Sequence, residues 1–226
     1  MRYEITGTTV PCVEVSLVRG ESMFTQAGGM CWMTEGLEMQ SSTRGGVLKG
    51  LSRMFAGESM FQTSYSASRD GAKIAFASTL PGTIVPWTFS PGQSLICQKG
   101  AFLCAESGID LEVTFTKRFA GGLLGGEGFI LQKLSGHGTA FLEIDGDVVH
   151  KDLAAGERIL VDTGNVVAFE SSVSYSVETV KGITNVLFGG EGLFLTSLTG
   201  PGRVILQTMS FGAFVARIVS TLPTQK

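Results

Sequence analysis

The chain reads as short apolar runs separated by glycine-marked turns. Lys73-Ile74-Ala75-Phe76, Ala140-Phe141-Leu142-Glu143-Ile144 and Val204-Ile205-Leu206 are runs of this kind. Each follows a turn signal: Asp70-Gly71, Gly136-His137-Gly138 and Gly200-Pro201-Gly202. Glycine in such turns takes positive φ, and proline presets φ at a corner. Before each turn lies another apolar segment that opens on Gly-Glu. These openings are Gly57-Glu58-Ser59-Met60-Phe61, Gly126-Glu127-Gly128-Phe129-Ile130 and Gly190-Glu191-Gly192-Leu193-Phe194. The pattern predicts three strand–turn–strand hairpins. No stretch holds a 3.6-residue apolar period between caps, so little helix is expected.

A second pattern lies between the hairpins. Pro91-Gly92-Gln93-Ser94-Leu95-Ile96-Cys97-Gln98-Lys99-Gly100 leads to Glu106, and Ala155-Gly156-Glu157-Arg158-Ile159-Leu160-Val161-Asp162-Thr163-Gly164 leads to Glu170. Both glycines and the glutamate are offset by 64 positions. A looser copy opens the chain, from Arg19-Gly20-Glu21 through Gly28-Gly29 to Glu35. Fixed-period similarity marks a repeat architecture. Short strands with turns every 8 to 12 residues or so point to all-β structure of sandwich or barrel type. The expected arrangement is three pseudo-repeated modules, approximately 1–79, 80–144 and 145–226, in one compact unit about a pseudo-threefold axis. Strands near the chain ends are allowed to exchange between modules. An open stack would leave sheet edges needing protection.

The Gly-Glu-Gly hairpins, the run Val161-Asp162-Thr163-Gly164-Asn165-Val166-Val167-Ala168-Phe169-Glu170 and Gly200-Pro201-Gly202-Arg203-Val204 together carry a family resemblance. Nearly end to end, the chain resembles the mitochondrial biogenesis AIM-type family, a domain of unknown function. The resemblance implies three modules of the short double-stranded β-helix fold of the tryptophan RNA-binding attenuation protein (TRAP-like). It also implies a link to membrane organisation, through the fungal member, and brings no catalytic residues with it.

Composition narrows the function classes. Charged residues make up 16% of the chain and the net charge is −3, against about 25% charged in an average domain. Lys and Arg form no polybasic run, so nucleic acid is a disfavoured partner, because phosphate neutralisation dominates that affinity. The start, Met1-Arg2-Tyr3-Glu4, has neither the apolar core of a secretory signal nor a transit-peptide composition. The uncharged stretch Ile74–Gln98 holds Pro81, Pro86 and Pro91 and reads as buried strands rather than a membrane span. Cys12, Cys31, Cys97 and Cys104 form no C-x-x-C, and the thiols are expected reduced. A cytoplasmic location, with peripheral membrane contact allowed, is the expectation.

Candidate sites are few. Cys97 matches Val161 and Cys104 matches Ala168, so both cysteines read as small buried hydrophobes. His137 falls in a turn and His150 matches Pro86; two histidines 13 apart make a weak metal case. The repeated polar residues are Glu58, Glu127 and Glu191, which read either as a ring of carboxylates for a cation or partner, or as acceptors for backbone N–H groups of the glycine turns. The second reading is favoured, and it extends to Glu35, Glu106 and Glu170. Seven of the eight methionines lie in the first 60 residues, near Phe24 and Trp32. They read as core, with an adaptable partner face as the alternative. The sequence thus points to a non-catalytic assembly or interaction protein with a protein partner or a homo-oligomer, and with no cofactor. The alternatives are a small-ligand or RNA-binding module and, behind it, a cupin-like metalloenzyme.

Overall fold

A computed structural model describes residues 1–26, 28–43, 61–117, 129–179 and 194–222. These residues are all-β apart from two 3-10 turns and one helix near the C-terminus. They fall in two compact units.

The first unit comprises Met1–Pro91, Phe102–Asp110 and Gly136–Glu143. Its four-stranded sheet runs β1 (Arg2–Thr6), β2 (Cys12–Leu17), β7 (Ala72–Ala77) and β4 (Met30–Met33). Its six-stranded sheet runs β5 (Leu37–Thr43), β6 (Phe61–Ala67), β3 (Ser22–Gln26), β10 (Phe102–Glu106), β13 (Gly138–Asp145) and β8 (Gly82–Phe89). β2 alternates strictly: Val13, Val15 and Leu17 are buried while Glu14 faces out, 2.6 Å from Lys73 Nζ. This is the period-2 signature of a strand with one covered face. The inward set joins Met23, Tyr65, Ile74, Phe76, Leu103 and Phe141 in one core. β10 is buried at four consecutive residues, as expected for a central strand covered on both sides.

The second unit comprises Gly92–Ala101, Leu111–Ser135 and Ile144–Lys226. Its six-stranded sheet runs β11 (Ile109–Lys117), β12 (Phe129–Gly136), β9 (Ser94–Gln98), β16 (Val166–Glu170), β19 (Gly202–Gln207) and β14 (Val148–Leu153). Its three-stranded sheet runs β15 (Arg158–Asp162), β18 (Phe194–Thr199) and β17 (Ser174–Thr179). The core holds Phe129, Leu131, Val166, Phe169, Leu198 and Val204. The stretch expected to be the middle module, 80–144, gives strands to both units.

The turns behave as the sequence requires. Gly71 sits at φ +75°, and Gly136 and Gly138 both at φ +116°, in a region that side chains with a Cβ avoid. The stretch Ile74–Gln98 forms β7, β8 and β9, and no described helix is long and apolar enough to cross a membrane.

The helix is the addition. α1 (Phe211–Val219) starts at Ser210, whose side chain accepts from Ala213 N at 3.3 Å as an N-cap. None of its residues is buried. Phe211, Phe214, Val215, Ile218 and Val219 stand at i, i+3, i+4, i+7 and i+8, a single apolar stripe behind the Ser210 cap, so the expectation that no stretch holds a 3.6-residue period is corrected here.

One ionisable group is held at a cost. Asp145, at the β13–β14 turn, has its carboxyl pushed up by burial. A carboxyl raised on folding holds its proton more tightly in the folded chain, so stability falls as pH rises from the unfolded value, about 3.9, through the folded one. Asp145→Asn keeps an Xaa-Gly turn dipeptide and removes the charge. The Asn variant is expected to melt with the parent near pH 3 and at a higher temperature at pH 7. Equal melting temperatures at both values would contradict a desolvation penalty.

Candidate functional site

The repeated carboxylates hold the strand turns. Glu106, ending β10, accepts from Thr139 N at 2.5 Å, and Glu170, ending β16, accepts from Arg203 N at 2.9 Å. In each case the donor follows the second glycine of the Gly-x-Gly turn, so the carboxylate pins the first peptide of the outgoing strand. Glu170 also accepts from Gln93 Nε2 at 3.2 Å. A Cβ on Gly138 would lie 2.8 Å from Glu106 Oε2, which gives that glycine a steric reason as well as a conformational one.

Glu35 does not join this set. It sits exposed in the turn between β4 and β5. The matching bond is made one residue earlier, where Thr34 Oγ1 accepts from Lys73 N at 2.9 Å. A hydroxyl does the work of the carboxylate, which matching on the letter Glu overlooks. A second staple recurs at the Gly-Glu steps: Glu21 accepts from Val18 N at 3.0 Å and Glu157 from Ala154 N at 2.8 Å. That backbone bond to Val18, and then the N-terminal ammonium 2.9 Å away, hold the Glu21 carboxyl below its usual range. Glu58, Glu127 and Glu191 lie outside the described residues.

A carboxylate that satisfies a backbone donor is costly to delete, because the donor is left without its partner. Hydrogen bonds to charged groups contribute about 1.5–3 kcal/mol. Glu106→Ala, whose donor Thr139 is buried, is expected to cost about that much in urea unfolding, and Glu106→Gln less than half. Equal losses for Ala and Gln would show that packing, not the acceptor, is what matters.

The thiols divide by burial. Cys97 and Cys104 are both fully buried, as their repeat partners Val161 and Ala168 imply. Burial pushes the Cys97 thiol up to about 12 and Cys104 upward as well, which disfavours the reactive thiolate. All four cysteines are free. His137 lies in the β12–β13 turn, its N–H donating to Gly108 O at 3.1 Å, and His150 lies exposed on β14. Among the described residues no group of three or more His, Cys, Asp or Glu is placed to hold a metal.

The methionine-rich start divides too. Met23 and Phe24 are core, whereas Trp32, Met33 and Met39 are exposed; Met54 and Met60 lie outside the described residues. A cavity in the first unit, about 100 Å³, is lined by Thr25, Gly29, Thr79, Phe102, Leu103 and Glu143. Liquid water takes about 30 Å³ per molecule, so this space suits a few waters, well under the roughly 300 Å³ of a small-molecule pocket. Its polar walls are already engaged: Thr25 Oγ1 donates to Leu103 O at 2.5 Å, and Glu143 Oε2 accepts from Thr79 N at 3.1 Å.

The family model described as Mitochondrial biogenesis AIM24 matches residues 3–209. The chain belongs to the mitochondrial biogenesis AIM24 family. A relative, an uncharacterised protein of Streptococcus pyogenes serotype M6, is 28% identical over 233 residues, covering 99% of this chain and 92% of its own. The crystal structure of a Streptococcus pyogenes protein superposes with a TM-score of 0.79 at 26% identity, covering 98% of this chain and 99% of that one. The turn staples at Thr34, Glu106 and Glu170 all lie within the AIM24 match, and α1 begins just past its end.

Proposed function

We propose that this AIM24-family chain is a non-catalytic assembly protein, built of three strand modules and working through its apolar surface. The modules are supported by the pairing order, in which β3-β6-β5, β9-β12-β11 and β15-β18-β17 form matching three-strand groups. The non-catalytic reading is supported by the engagement of the repeated carboxylates with backbone donors. The observation that carries the assembly reading is the placement of exposed apolar side chains on regular elements: Trp32 and Met33 on β4, Leu160 on β15, and Phe211, Phe214, Ile218 and Val219 on α1. Large apolar side chains left exposed on regular elements support an interaction surface there.

Size-exclusion chromatography with light scattering tests the reading, with a mass above that of one chain as the expected result. A chain that stays monomeric at every concentration and recovers no partner would end it. α1 favours a second reading, peripheral contact with a lipid surface. It carries a single charge, Arg217, and large apolar residues that a bilayer interface would accept. Flotation with liposomes tests it: Phe214→Glu should abolish co-flotation, and a parent protein that stays at the bottom of the gradient ends this version.

A further inference from the structure

Two joints inside the chain follow one rule. In the first unit β3 pairs antiparallel with β10, at the register Thr25↔Cys104, Phe24↔Ala105 and Met23↔Glu106. In the second unit β9 pairs antiparallel with β16, at Cys97↔Ala168, Ile96↔Phe169 and Leu95↔Glu170.

The strands on each side of these joints have recognisable relatives elsewhere in the chain. β10 and β16 each carry a bulge against their other neighbour, between Phe102 and Cys104 and between Val166 and Ala168. β4 carries the same bulge against β7, between Met30 and Trp32. On the opposite side β3 and β9 pair with the middle strand of a three-strand group, at Thr25↔Thr63 and Cys97↔Gln132. β15 pairs with β18 in the same way, at Val161↔Thr196. So β4 is a strand of the β10 kind and β15 a strand of the β9 kind.

Exposure separates the made joints from the unmade one. Cys104, Ala105, Ala168 and Phe169 are all 0% exposed. The matching residues of β4, Trp32 and Met33, are 40% and 39% exposed, and Leu160 of β15 is 53% exposed. β4 and β15 are each the end strand of their sheet. Edge strands are usually blunted by lysine, proline or an inward charge. β4 reads Met30-Cys31-Trp32-Met33 with no charge, and β15 keeps its charges at its ends, Arg158 and Asp162.

We infer that β4 of one copy pairs antiparallel with β15 of a second copy, at the register Trp32↔Val161, Met33↔Leu160 and Thr34↔Ile159. This names the partner of the assembly reading and rests on it. The register is the one both internal joints use, and it sets Trp32 opposite Val161 and Met33 opposite Leu160, apolar against apolar. Each copy offers one edge of each kind, so the contact is heterologous and copies add head to tail. Pairing satisfies the backbone groups along both edges and covers Trp32.

The test uses the full chain. Met33→Cys and Leu160→Cys are placed in separate chains, both with Cys31→Ser, one of them tagged; the two are mixed and oxidised. Directly opposed residues of an antiparallel pair stand about 4.5–5.5 Å apart at Cα, within the Cα range of a disulfide. The expected results are a cross-linked species of two chains and a light-scattering mass at least twice 23.9 kDa. The emission of Trp32 should also shift to the blue as concentration rises. Leu160→Glu, at an exposed position that leaves the single chain folded, should return the mass to one chain. A Met33→Cys, Leu160→Cys double variant that cross-links only within itself would overturn the inference, because the joint would then close inside one chain. A multimer with no cross-link between these positions would overturn this joint while the assembly reading stands. A monomer at all concentrations would end both.

Discussion

Gly136→Ala is expected to lower stability by about 2–6 kcal/mol, through backbone strain of about 1–3 kcal/mol and a steric clash of similar size. Gly136 sits at φ +116°, and a Cβ there would fall on the carbonyl oxygen of Gly108. That oxygen accepts the N–H of His137, so it cannot yield without losing the bond that closes the turn. Gly71→Ala isolates the strain alone: its φ is +75°, with nothing within 4 Å of the added carbon, and a cost of about 1–2 kcal/mol is expected. Trp32 and Trp87 both lie in the first unit, so tryptophan fluorescence during thermal or urea unfolding reads that unit directly. Equal losses at the two glycines would mean that the Gly108 turn moves aside freely.

These glycines also show what a sequence exposes and what it hides. Asp70-Gly71, Gly136-His137-Gly138 and Gly200-Pro201-Gly202 stand out because a turn with positive φ admits few residue types, so the physical demand is written in the letters. The burial of Cys97 and Cys104 was legible for a related reason, since the copy 64 residues on uses Val and Ala. The staple at Thr34 was hidden because the demand there is for an acceptor at one place, which a hydroxyl meets as well as a carboxylate does. Glu35, one residue along, carried the right letter in the wrong position. α1 was overlooked because its apolar stripe, from Phe211 to Val219, is only nine residues long, little more than two turns. The methionines of the first 60 residues looked like one feature and are two, because alternation along short strands sends Met23 into the core while Met33 and Met39 end at the surface. Strand type was thus readable from local chemistry. Which strands lie at the end of a sheet depends on pairing between distant segments, and that is where the candidate interaction surface was found.

Phe169→Ala is expected to cost about 3–5 kcal/mol, the range for emptying a large aromatic site in a core. Phe169 is 0% exposed on β16, opposite Ile96 of β9 on one side and Val204 of β19 on the other. Its ring lies 5.2 Å from that of Tyr175. Tyr175 meets Phe115 edge-on at 5.8 Å, and Phe115 meets Phe129 at 6.3 Å. The Phe169–Tyr175 pair is tilted at 51°; aromatic pairs contribute about 0.5–1.5 kcal/mol beyond the area they bury, so truncation loses one such pair as well as leaving a void. Phe169→Leu refills most of the volume and should cost well under half as much. Phe211→Ala, at a site 52% exposed on α1, should change stability by no more than about 0.5 kcal/mol. The matching place in the other six-stranded sheet sharpens the argument. There the large residue is Phe24 and the residue opposite it is Ala105, so the bulk sits on the other strand of the joint. A phenylalanine placed at Ala105 would face Phe24, already buried and stacked on Phe102 at 5.5 Å, and overpack the seam. Ala105→Phe should therefore destabilise the first unit by about 1–3 kcal/mol. If instead Ala105→Phe is neutral and Phe169→Ala costs under about 1 kcal/mol, the sheets are not joined by fitted pairs, and the register assigned to β4 and β15 loses its physical basis.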